Sequence, residues 1–210
     1  EVAIYDRVLP DSEIRRHYAD GTVGLQRGYW GCEAPVRIMP LGDSITRRWN
    51  PGYRPDLYFD LIGAGMDVDM VGGVTDGCAP SCTHDPDNEG HSGFTPTDIA
   101  NNVGTWLAAN PADIVTLHIG TNVDSGFPYP DVTQVGAILD QVETYDPNVP
   151  VVLARIINKA RADYDPQLSV FNQNLEAMAQ ARVAAGDRIL VVDQEPGLDY
   201  SASTTDFDVA

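Results

Sequence analysis

Positive charge is scarce in this chain. Only 13 Lys and Arg stand against 31 Asp and Glu, which leaves a formal charge of −18 over 210 residues. Nucleic acids and anionic membranes are bound through clustered Lys and Arg, so this balance excludes both as partners and favours a neutral substrate. No apolar run reaches the length of a membrane span, and no signal peptide opens the chain. Glu1 to Asp6 read as the middle of something longer, so a signal further upstream is compatible with the sequence. Cysteine is limited to Cys32, Cys78 and Cys82. Cys78 and Cys82 share a loop-like stretch that suits a local disulfide. A metal pair is the weaker alternative, because no second Cys or His pair has zinc spacing. Cys32 is then free or paired with sequence outside this chain. Disulfide usage points to an oxidising compartment, and the expected location is secreted or extracellular.

Apolar residues make up 43% of the chain, enough for one α/β domain with a sizeable core. From Val36 onward, strand and helix patterns alternate. Runs rich in β-branched residues predict strands near Val36–Leu41, Asp67–Gly72, Ile114–Ile119, Val149–Ile156 and Arg188–Asp193. Between them, Leu57, Leu61 and Ile62 mark a helix from Arg54 to about Gly63. Thr95-Pro96 opens another, with a capping hydroxyl and Pro in the first turn; Ile99, Val103, Trp106 and Leu107 form its buried stripe and Asn110-Pro111 ends it. Val132, Val135, Ile138, Leu139 and Val142 define a third, closed by Asp146-Pro147. Leu168, Phe171, Leu175, Met178 and Val183 define a fourth, stopped by Gly186. Such alternation implies a parallel sheet with right-handed crossovers and helices on both faces.

The first residues fit this plan poorly. Val2, Ile4 and Tyr5 suggest a short strand, followed by a helix from Asp11 to Tyr18 that Gly21 stops. The run E-V-A-I-Y-D-R-V-L-P-D-S-E-I-R-R-H-Y-A-D-G resembles the last strand and closing helix of laminin-G-like (concanavalin-type) lectin domains. The expected organisation is a remnant of such an upstream domain over residues 1–21, a linker over 22–35, and a catalytic-type α/β domain over 36–210.

Chemistry concentrates at the carboxyl ends of predicted strands, where open α/β sheets bind ligands. Val36 to Leu41 delivers Gly42-Asp43-Ser44, and Ser44 is the candidate nucleophile. On its own, Gly-Asp-Ser is equally well a strand-to-helix cap. Two further stretches add weight. Glu89-Gly90-His91-Ser92-Gly93-Phe94-Thr95 precedes the capped helix, and Gly93 can bring its backbone N–H close to a ligand. Leu117-His118-Ile119-Gly120-Thr121-Asn122 ends the third strand and offers the Asn122 side-chain NH₂. Each also has a plain reading, as a turn glycine and a turn asparagine. Taken together, the Ser44 hydroxyl with the Ser44 N–H, Gly93 N–H and Asn122 NH₂ make a nucleophile with an oxyanion hole. Removing one such donor costs on the order of 3 kcal/mol of transition-state stabilisation.

The ordered blocks R-I-M-P-L-G-D-S-I-T, G-Y-R-P-D-L, D-V-D-M-V-G, E-G-H-S-G-F-T and H-I-G-T-N resemble the SGNH (GDSL-like) hydrolases. The similarity is greatest to their carbohydrate-esterase branch, family three, which contains acetyl xylan esterases. The resemblance implies a flavodoxin-like three-layer α/β/α sandwich with strand order 2-1-3-4-5. It also implies no metal or cofactor for the chemistry, a polysaccharide or small-ester substrate, Ser44 as nucleophile, and Gly93 and Asn122 in the oxyanion hole. Two departures stand out. Val123 follows Asn122 where the family has Asp, with Asp124 one place later, and no Asp-x-x-His block supplies a base. None of His17, His84, His91 and His118 has an Asp three residues before it. The expectation is therefore that the triad is completed beyond Ala210 and that residues 1–210 alone are nearly inactive, since serine without a base is a weak nucleophile. The alternative is an inactive fold serving as a glycan-binding or surface module. Trp49, Phe94 and Tyr129 are candidates for stacking on sugar rings or for packing. His84, Asp85, Asp87 and Glu89 form a small acidic cluster that suits calcium or, more simply, a solvated acidic loop.

Overall fold

A computed structural model describes residues 34–48, 50, 52–123, 131–157 and 166–194. The expected lectin-like remnant, most of the linker, Trp49 and Tyr129 lie outside these residues.

Strand β1 (Val36–Gly42) runs through the middle of the sheet, and the one-turn helix α1 (Ser44–Arg47) follows at once. Helix α2 (Tyr53–Gly63) leads to β2 (Val68–Met70), then β3 (Val74–Thr75) and β4 (Asp87–Gly90). Next come α3 (Pro96–Ala109), β5 (Ile114–His118), α4 (Thr133–Tyr145), β6 (Val151–Ala154), α5 (Pro166–Ala185) and β7 (Ile189–Val192). The seven strands form one sheet in which β1 pairs in parallel with β5, β5 with β6, and β6 with β7. On its other edge β1 takes two partners in succession, β2 beside Val36–Ile38 and β4 beside Leu41–Gly42. For the five longer-range strands, β2, β1, β5, β6 and β7, this is the expected order 2-1-3-4-5. Among the described residues no helix is long and apolar enough to cross a membrane.

Alternate residues of β1 serve different layers, as a pleated strand requires. Met39 and Leu41 join Val115, Leu117 and Ile119 in the larger core, which α3, α4 and α5 close with Ile99, Val103, Leu107, Ile138, Leu139, Phe171 and Leu175. Ile38 joins Val68 and Met70 in a smaller core under α2, packed against Leu57 and Leu61. The result is a three-layer α/β/α sandwich. Helix α3 begins as its sequence dictates: Thr95 accepts from Asp98 N, and Asp98 Oδ2 accepts from Thr95 N, a reciprocal capping box with Pro96 behind it.

The structure departs from the sequence reading at three places. Ile62 and Val183, expected on buried stripes, are 41% and 46% exposed. The stretch from Val74 to Gly90, for which the sequence reading has no strand, forms the antiparallel pair β3–β4 and adds β4 to the edge of β1. Within it Cys78 and Cys82 are disulfide-bonded, as expected from their spacing.

Candidate active site

Three strand ends meet at one level. Gly42 of β1 is in register with Gly90 of β4 on one side and with His118 of β5 on the other. The chain leaves β1 into Ser44, β4 into Gly93 and β5 into Asn122, so the three residues singled out from sequence share one end of the sheet. The close fit explains both strand-end glycines. A Cβ on Gly42 would stand 2.2 Å from the His118 carbonyl oxygen, and one on Gly90 would stand 2.3 Å from Arg47 N. The His91 N–H then donates to the Gly42 carbonyl at 2.9 Å, fastening the loop after β4 to the end of β1.

Ser44 is the first residue of α1, and its N–H belongs to the first turn, where a helix leaves its donors without internal acceptors. Asp43 caps that turn: Oδ1 accepts from Ile45 N at 2.9 Å, and its carbonyl accepts from Arg47 N. The carboxyl group is fully buried. Burial pushes its pKa up to about 6, against the opposing pull of hydrogen bonds from Ile45 and Thr121. Asp43 thus shapes the turn.

The turn from His91 to Phe94 is closed by the Phe94 N–H on the His91 carbonyl at 3.1 Å. Gly93 occupies its third position with φ +82°, which a type II turn reserves for glycine. No heavy atom lies within 4 Å of where its Cβ would be, so the site faces open space and the glycine serves the backbone angle. His91 holds this turn down. Its ring stacks against both Phe94 and Trp106, with centroids 4.7 and 4.3 Å away, and its Nε2 lies 2.6 Å from Glu89 Oε1. Glu89 is buried, and its other oxygen accepts from Gly73 N at 2.6 Å. Asn122 reaches the same turn and donates from Nδ2 to the Phe94 carbonyl at 2.9 Å. A carboxamide has two N–H bonds, so one orients Asn122 and the second is left for a ligand.

The described histidines are committed elsewhere. His84 Nε2 lies 3.0 Å from the buried Asp76 Oδ2, His91 bonds Glu89, and His118 is enclosed at the end of β5. Burial depresses the His118 pKa to about 4, so its ring is neutral, as a core histidine should be. Phe94 packs against the core and stacks on His91, which makes it a packing residue. The acidic stretch is knitted to the protein. Asp85 accepts from Met70 N and Asp87 N, and Asp87 accepts from the Thr75 hydroxyl. Cys78, Cys82 and His84 lie close enough to suggest a metal set, but the two sulfurs are bonded to each other.

Sequence reasoning passed over Arg54 and Asp76, which are buried and form an ion pair beside α1. The signal was present. Arg54 precedes Leu57 by three residues and Leu61 by seven, so a charged residue occupies the apolar stripe of its own helix.

The profile of the GDSL-like lipase/acylhydrolase family matches residues 41–208. Among solved structures, a family 3 carbohydrate esterase from Clostridium thermocellum is 32% identical, with a TM-score of 0.67 over 76% of this chain and 78% of that one. A carbohydrate esterase family 3 structure from Talaromyces cellulolyticus is 31% identical, with a TM-score of 0.66 over 77% and 81% of the two chains. An acetyl esterase mutant with acetate ion is 28% identical, with a TM-score of 0.67 over 82% and 86%. No match was found among curated proteins.

Proposed function

The chain belongs to the GDSL-like lipase/acylhydrolase family and is a carboxylic ester hydrolase of the SGNH fold, and from that premise we propose that Ser44 removes O-acetyl groups from a polysaccharide such as acetylated xylan. The observation that carries the assignment is the convergence of Ser44, Gly93 and Asn122 beyond the paired ends of β1, β4 and β5. In this reading Ser44 Oγ attacks the ester carbonyl carbon while a general base takes its proton and then delivers that proton to the leaving sugar oxygen. The carbonyl oxygen becomes an oxyanion that accepts from the Ser44 N–H, the Gly93 N–H and the free Asn122 N–H. Collapse breaks the ester C–O bond and releases the sugar hydroxyl, leaving an acetyl-serine that water hydrolyses to acetate. The three donors are fixed before substrate arrives, two by backbone turns and one by the Phe94 carbonyl, so little reorganisation is needed as charge develops. No described histidine is assigned the base's role, since each has its place in packing or in another bond.

The substrate assignment rests on the neighbours' names, family 3 carbohydrate esterases and an acetyl esterase, and on the charge of −18, which suits a neutral ester. The Cys78–Cys82 disulfide supports secretion into an oxidising compartment. Acetate release from acetylated xylan and hydrolysis of p-nitrophenyl acetate by the full-length protein test the assignment. Ser44→Ala should lower both rates by at least about 10³-fold, and Asn122→Ala should lower kcat by about 10²-fold or more. Equal rates for Ser44→Ala and the parent would remove Ser44 as the nucleophile.

A further inference from the structure

Arg54 points inward from α2 and is 1% exposed. Its guanidinium bonds in two directions. Toward α1, Nε donates to the Thr46 carbonyl at 2.6 Å and Nη2 to the Arg47 carbonyl at 3.3 Å. Toward the β3–β4 excursion, Nη2 donates to Asp76 Oδ1. Thr46 and Arg47 are the last two residues of the single turn that starts at Ser44. A helix this short closes few bonds of its own, and its final carbonyls need outside donors. Arg54 supplies them from a rigid planar fork, which a lysine ammonium cannot match.

Asp76 is itself fixed. Besides Arg54 it accepts from Asn88 Nδ2 at 3.3 Å and Arg47 Nη1 at 3.4 Å, and its second oxygen faces His84 Nε2 at 3.0 Å. It sits at the entrance of the loop closed by Cys78–Cys82, with its N–H on the Pro86 carbonyl. Arg47 is also tied to Gly90, whose missing side chain lets the two backbones touch. The turn carrying Ser44 is thus gripped from behind by one arginine whose counter-ion lies in the loop that joins β3 to β4.

We propose that Arg54 is a positioning residue for Ser44, with Asp76 as its anchor. It holds the C-terminal carbonyls of α1 so that the Ser44 Oγ and N–H stay in line with the Gly93 and Asn122 donors. This rests on Ser44 being the nucleophile. A displacement of about 1 Å at a reacting group can cost about 10²-fold in rate, so the grip is expected to act on kcat and leave KM alone.

A buried ion pair could instead serve stability only, and a double variant separates the two roles. Replacing both partners of such a pair by apolar residues is often neutral for folding, because no lone charge stays buried. Arg54→Met with Asp76→Leu in the full-length protein should keep the parent's circular dichroism. It should hydrolyse p-nitrophenyl acetate with kcat lower by about 10- to 100-fold and KM within about twofold. A folded double variant with the parent's kcat would overturn the proposal. Arg54→Lys keeps a charge beside Asp76 but loses the fork, and it covers the case in which the double variant does not fold. It too should lower kcat at constant KM, and a parent-like kcat would again overturn the positioning role. Ser44→Ala is measured alongside. Activity kept there removes the nucleophile assignment, whereas activity lost there but kept in the Arg54 variants removes only the positioning role.

Discussion

Asp43 and His118 stand at the ends of adjacent strands, and burial moves their protonation in ways that oppose each other. The folded pKa of Asp43, about 6, lies above its ordinary 3.8, so the folded chain holds this proton more tightly than the unfolded chain. Raising the pH from about 4 to 6 therefore removes stability, by about 3 kcal/mol for a shift of roughly two units. The folded pKa of His118, about 4, lies below its ordinary 6.5, so the unfolded chain takes up this proton first. Lowering the pH from about 6.5 to 4 therefore removes stability, again by about 3 kcal/mol. The two contributions cancel over nearly the same window. Asp43→Asn keeps the acceptor that caps Ile45 but removes one side of this balance. Urea unfolding should show it more stable than the parent at pH 7, with the gain vanishing near pH 4. An equal gain at both pH values would show that the effect is not the titration of Asp43. His118 was legible as a core residue from its place inside a strand. The burial of Asp43 was not, because a cap residue after a strand is exposed or enclosed according to what packs over it.

At the scale of elements, one asparagine joins α5 to the chain just past β6. Asn172 is buried, and its carboxamide spans the Ile156 backbone, accepting from N at 3.0 Å and donating to O at 2.8 Å. Asn172→Ala would leave both groups of Ile156 enclosed without partners and should cost about 2–4 kcal/mol, read as a lower urea midpoint at unchanged slope. A loss below about 0.5 kcal/mol would show that other groups satisfy Ile156. Helices α3 and α4 were legible because each carries apolar residues at helical spacing and a clear stop, Asn110-Pro111 for one and Asp146-Pro147 for the other. Strand β4 was not. Asp87-Asn88-Glu89-Gly90 carries no large apolar side chain, and its buried members are Asn88, Glu89 and Gly90. What makes it a strand is its neighbours: β1 pairs with it, Asp76 and the Val74 carbonyl accept from Asn88, and Gly73 and His91 hold Glu89.

The molecule as a whole carries 18 more negative than positive charges. Self-repulsion of that size works against the compact state and is screened by salt. Surface ion pairs such as Arg37–Asp113 and the contacts of Arg182 with Asp140 and Glu143 would be weakened by the same salt, but each contributes only about 0–1 kcal/mol. Raising NaCl from about 0.05 to 0.5 M should therefore raise Tm, because repulsion is long-ranged and falls off steeply once the Debye length drops below about 10 Å. A fall in Tm would show that the local pairs outweigh the repulsion.

The sequence by itself determined the alternation of strands and helices and the identity of Ser44, Gly93 and Asn122 as the residues to watch; spacing favoured a Cys78–Cys82 disulfide, and the family resemblance implied the strand order. Periodicity, capping chemistry and local spacing are properties of neighbouring residues, and a linear reading recovers them. The tertiary structure alone decided that Gly42, Gly90 and His118 share one level of the sheet. It also decided that Asn122 bonds the Phe94 carbonyl and that Arg54 bonds the Thr46 and Arg47 carbonyls of the Ser44 turn while paired with an aspartate 22 positions away. Contacts between residues distant in sequence depend on how elements pack, and burial then fixes which polar groups must find each other.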